Sequence, residues 1–167
     1  MKYSWLAILL LALGLIGGFA FYKGYSDSKA GVIENAEIVE AGSSIEAFRR
    51  SVDPMFMRKG VQLMQTHCNN CHGVKGKTHD QLLAPPLWGV RMNYMKKYPE
   101  AEAFIESMSD FLTEPKHGDS LMPQAVDRFG LMPMLPLPDE ILRPILSALY
   151  AGAVERPDWA NGGMHNH

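Results

Sequence analysis

Cysteine is almost absent from this chain: there are two, Cys68 and Cys71, in 167 residues. A second C-x-x-C pair is missing, and the histidines have no zinc spacing, so a structural zinc site lacks its ligands. A surplus of either charge is missing too, since 16 Lys and Arg stand against 18 Asp and Glu, for a formal net charge of −2. That balance argues against nucleic acid as a partner. No alternating strand pattern of useful length is present, which leaves helix as the regular structure. There is no internal repeat, and no nucleophile or acid–base pair stands near the cysteines to suggest catalysis.

What the chain does contain is Cys68-Asn69-Asn70-Cys71-His72. C-x-x-C-H is the attachment spacing of a c-type haem. Two thiols three positions apart reach both vinyl groups of one porphyrin through thioether bonds, and His72 then offers an imidazole nitrogen to the iron. The expected cofactor is a single covalent haem c. A thioredoxin-like dithiol needs a strand before the motif and a βαβ context after it. Here residues 55–66 read as helix and residues 73–77 as loop.

Residues 3–22 carry no charge and are bracketed by Lys2 and Lys23. Twenty such residues match one helical crossing of a bilayer, and Tyr3, Trp5, Phe21, Tyr22 and Tyr25 stand where aromatic rings favour the headgroups. A cleaved signal peptide is the rival, with Gly18-Phe19-Ala20 as a small-x-small site, but the apolar run is longer than a usual signal core. The expected organisation is a transmembrane anchor at 1–23, a flexible acidic linker at 24–45, a helical domain at 46–155 and a tail at 156–167.

Within the domain, Pro54 can open a helix because its missing N–H falls in the unpaired first turn, and Met57, Val61 and Met64 then share a face. A second helix is expected over 99–113, with Phe104, Ile105, Met108, Phe111 and Leu112 on one stripe and Glu102, Glu106 and Asp110 outside. A last helix runs from Pro138 or Asp139 towards Tyr150, kinked or delayed by Pro144.

In these features the chain resembles the class I c-type cytochromes, over residues 54–150. The resemblance implies an all-α fold around one haem. Gly60, eight residues before Cys68, matches the family glycine over which the last helix crosses. Ala84-Pro85-Pro86-Leu87-Trp88-Gly89 is similar to the family's G-P-x-L-x-G loop, whose proline carbonyl accepts the proton of the axial histidine. Here Ala84 replaces the first glycine, and Pro85 or Pro86 is the expected acceptor. Such a bond fixes the ring and makes the ligand more basic. Pro85, Pro86, Leu87 and Trp88 are therefore expected at the cofactor.

The family's sixth iron ligand is a methionine from a loop before the last helix. Met122 and Met132 each occur as Leu-Met-Pro, and Met134 follows. Met132 is expected to be the ligand, with Met122 the main alternative and Met134, His79 or His117 behind them. His/Met ligation raises the potential and closes the iron to other ligands.

The resemblance also implies haem attachment on the periplasmic side of a bacterial cytoplasmic membrane. The expected function is single-electron transfer between redox proteins, by a tethered shuttle or a subunit of a respiratory or photosynthetic complex. A five-coordinate haem, as gas sensor or peroxide-reducing enzyme, is the alternative. Lys75, Lys77, Arg91, Lys96 and Lys97, against Asp80, form an expected basic rim that could steer an acidic partner.

Overall fold

The structure, a computed structural model, describes Gly42 and residues 44–161. The expected anchor at 1–23 and nearly all of the linker lie outside the described residues, as do residues 162–167. Among the described residues there is no strand, and no helix is long and apolar enough to cross a membrane. A helical segment at residues 44–51 (α1) is followed by α2 (Pro54–His67), the single turn α3 (Asn69–His72), α4 (Leu87–Lys97), α5 (Ala101–Thr113), α6 (Pro123–Phe129) and α7 (Asp139–Tyr150).

Local chemistry sets the start of α2. Pro54 occupies the first turn, and the Asp53 carboxylate accepts from the N–H groups of Met55 at 2.7 Å and Phe56 at 2.9 Å. Two of the helix's unpaired donors are satisfied in this way. The α5 stripe of Phe104, Ile105, Met108 and Leu112 is buried, while Glu102, Glu106 and Asp110 face solvent.

α7 is the centre of the core. It is buried from Leu142 to Tyr150 except at Arg143, because it packs on α2, α4 and α5 together. Gly60 lets α2 approach: a Cβ there would lie 2.1 Å from the Pro144 carbonyl oxygen and 3.0 Å from the Ala148 Cβ. Pro144 does not break or delay α7, which is helical throughout from Asp139. A proline at that position leaves the carbonyl four residues earlier without its helical partner. Lys59 supplies one, its Nζ donating to the Glu140 carbonyl at 3.3 Å. α2 thus mends the helix it packs against.

The C-terminal end of α7 is held by two guanidinium groups. Arg91 on α4 donates Nε–H to the Tyr150 carbonyl at 3.0 Å, and Arg49 on α1 donates Nε–H to the Ala151 carbonyl at 2.8 Å. Cations there favour the helix dipole and satisfy its last carbonyls. Burial, then the neighbouring Arg49 charge, lowers the Arg91 pKa from its ordinary value. Arg91 is therefore taken up by the fold and does not join the expected basic rim. The Tyr150 ring packs edge-on against Phe48 and Phe104, at 4.9 and 5.4 Å between centroids, and its hydroxyl donates to the Pro99 carbonyl at 2.8 Å.

Residues 156–160, expected as the start of the tail, lie on the domain. Pro157 is fully buried, Arg156 stacks over Trp88 at 4.8 Å, and Trp159 meets His79 edge-on at 5.2 Å. Three helices, α1, α4 and α6, had no counterpart in the sequence reading, and residues 44–45 of the expected linker are helical. α6 has only seven residues, and the apolar residues of α4 surround it without a clear stripe.

Candidate functional site

The C-x-x-C-H motif is folded into one turn. The Cys68 N–H still bonds back into α2, to the Met64 carbonyl at 2.9 Å, and the His72 N–H closes on the Cys68 carbonyl at 2.9 Å. Gly73 ends the turn where a Cβ would lie 2.5 Å from the Asn69 carbonyl oxygen. The result brings Cys68, Cys71 and His72 to the wall of a single cavity of about 330 Å³. Ligand pockets generally hold about 300–1,000 Å³.

The His72 Nδ1 lies 2.7 Å from the Pro85 carbonyl oxygen. A carbonyl only accepts, so Nδ1 carries the proton, and the neutral ring keeps its lone pair on Nε2. Burial lowers the His72 pKa from its ordinary value, against the opposing pull of the Pro85 carbonyl. A neutral, oriented imidazole is the form that ligates a metal. Burial also pushes the Cys68 thiol up to about 11. A thiol so placed stays protonated, whereas a thioether carries no charge and suits this apolar wall.

The two prolines of the loop have separate tasks. The Pro86 carbonyl accepts the Val90 N–H at 3.0 Å and begins α4, so the Pro85 carbonyl is left for His72. From α4, Leu87, Val90 and Tyr94 line the cavity, while Pro86 and Trp88 do not. A helix turns about 100° per residue. Leu87, Val90 and Tyr94 consequently share a face that Trp88 leaves to meet Arg156, and the expected placing of Pro86 and Trp88 at the cofactor is corrected.

The remaining wall is built from α5, α6, α7 and the stretch before α7. Met108, Phe111 and Leu112 contribute from α5, Ala125, Val126 and Phe129 from α6, and Leu142, Ile145, Leu146 and Leu149 from α7. Met122 and Met132 both belong to this wall. Met134, 61% exposed, does not, and neither His79 nor His117 lines the cavity. The Met132 stretch is tied to α5 by the Leu135 N–H, which donates to the Leu112 carbonyl at 2.8 Å. Leu83, 66% exposed, sits at the cavity edge.

Sequence reasoning missed α6 and with it Phe129. The signal was a helix frame, Pro123 at the first position and Gly130 at the C-cap with φ 81°, which is the ordinary asymmetry of helix ends. Among the described residues no group of three or more His, Cys, Asp or Glu could hold a metal ion. Two imidazoles, His67 and His72, lie on the wall beside the two thiols, and His72 is the one whose ring is fixed, by Pro85. This chemistry fits a metal that brings its own in-plane ligands, and haem fits these residues.

Residues 57–133 match the family described as Cytochrome c. A protein of Aquifex aeolicus (strain VF5), described as "Uncharacterized protein", is 29% identical over 99 residues. That similarity covers 50% of this chain and 64% of the relative, so the chain spans less than two thirds of its length. No solved structure gives a significant match.

Proposed function

We propose that this chain, whose residues 57–133 match the Cytochrome c family, is a membrane-tethered monohaem cytochrome c of class I that passes single electrons between redox proteins on the periplasmic side. The observation that carries the reading is the convergence of Cys68, Cys71, a His72 ring fixed by Pro85, and the methionines Met122 and Met132 of the two Leu-Met-Pro segments on one apolar cavity. Haem c bound there supplies a one-electron iron couple. Cys68 and Cys71 hold it covalently. His72 would hold the metal through Nε2, with Pro85 keeping the ring in register, and Met132 would offer its sulfur as a further ligand. The apolar residues of α4, α5, α6 and α7 keep water from the metal, which raises its potential.

Residues 1–23 are the proposed anchor, and residues 24–43 would then allow the domain to range over the membrane surface. As a flexible coil, about twenty residues span roughly 25 Å on average. Lys75, Lys77, Lys96 and Lys97 remain available to steer an acidic partner. The membrane part is tested by fractionation from the native host. The protein is expected to stay in the membrane through high-salt and alkaline washing, with a mature N-terminus at Met1 or next to it. A freely soluble protein beginning at Phe21 would identify residues 3–20 as a signal peptide.

A further inference from the structure

Of the methionines that line the cavity, Met122 and Met132 stand in matching settings. Leu121-Met122-Pro123 and Leu131-Met132-Pro133 are the same tripeptide, and together they frame α6. Met122 is its N-cap, and Met132 follows the Gly130 that ends it. Both methionines and both leucines line the cavity, as do Ala125, Val126 and Phe129 between them. α6 therefore runs along the wall with a thioether at either end. Seven residues make a helix about 10 Å long, and a methionine side chain is unbranched and turns about three bonds.

Packing alone would be served by any apolar residue at either place. Here the sulfur recurs together with the proline that follows it, on the same cavity, while Met134 of the same stretch is left outside. The backbone around α6 has room to adjust. Gly130 lies at φ 81° with nothing within 4 Å of a Cβ position, and Gly118 is equally open.

We propose that Met122 is a reserve axial ligand, with Met132 at the sixth position of the resting protein and Met122 taking that position when the Met132 sulfur is missing. The proposal rests on the reading of the cavity as a haem pocket. The exchange loses one sulfur-to-iron bond and makes another, with no electron or proton transferred. Its consequence is that the metal stays closed to small ligands when either thioether is lost.

The test uses full-length haem-loaded protein and the variants Met132→Leu, Met122→Leu and both together, leucine being chosen because it nearly conserves volume. Each single variant is expected to keep the near-infrared sulfur-to-iron band of the oxidised protein and to refuse carbon monoxide when reduced, with a shifted potential in Met132→Leu. The double variant is expected to lose the band and to bind carbon monoxide fully. Loss of the band with full carbon monoxide binding in either single variant would overturn the reserve role. If the unsubstituted protein still shows the band in that case, the haem reading stands. An unsubstituted protein without the band that binds carbon monoxide freely would end both.

Discussion

A chain with Cys68 and Cys71 both changed to alanine is expected to retain no haem through denaturation. The two are the sole cysteines of the sequence, so no other thiol can make the thioether, and His72 coordination does not survive denaturant. Each single variant keeps one possible link and should still stain for haem in a denaturing gel. The double variant should also lose much of its fold. The apolar walls of the roughly 330 Å³ cavity would lose the cofactor they pack against, and burial of apolar surface is the dominant favourable contribution to folding. Far-ultraviolet circular dichroism of the double variant should therefore show a large loss of helix. Haem stain surviving in its denaturing gel would remove the covalent assignment.

Gly60→Ala is expected to destabilise the haem-loaded protein, although helix propensity alone predicts the opposite. Alanine is favoured over glycine in a helix interior by about 1 kcal/mol. Against this, the new Cβ would sit 2.1 Å from the Pro144 carbonyl oxygen and 2.8 Å from its carbon. Both are backbone atoms, so no side chain can rotate away, and α2 and α7 must separate along the most buried contact of the domain. Overpacking of this kind costs typically 1–3 kcal/mol and sometimes more. Here it should exceed the propensity gain and leave a net loss of about 1 kcal/mol. Urea unfolding followed by circular dichroism measures it. A raised midpoint would show that the helices are free to move apart at Gly60.

How far the sequence could be read depended on whether the chemistry was local. Cys68, Cys71 and His72 lie within one turn, so their spacing already brings them together, and Gly60 and the α5 stripe follow from helical periodicity. The regular start of α7 ahead of Pro144 was not legible, because the carbonyl that Pro144 orphans is answered from another helix, by Lys59. No local pattern contains that bond. The choice between Pro85 and Pro86 likewise stayed open until α4 was seen to use the Pro86 carbonyl for Val90. Trp88 reads as a pocket residue in the hexapeptide, yet its direction is set by the turn of a helix whose apolar residues form no stripe. The sulfur ligand is the hardest to read, because methionine is a common packing residue and eleven are present. Only the shape of the cavity separates Met122 and Met132 from Met134.

The central claim is a single closed haem that exchanges electrons and binds nothing else. Optical spectra of the protein purified from native membranes, oxidised, and reduced with and without carbon monoxide, test it most directly. The account predicts a sulfur-to-iron band in the near infrared, a low-spin reduced spectrum, and no change on adding carbon monoxide. A spectrum without that band, shifted rapidly and completely by carbon monoxide, would contradict it and turn the reading toward an open haem that senses a gas or reduces peroxide.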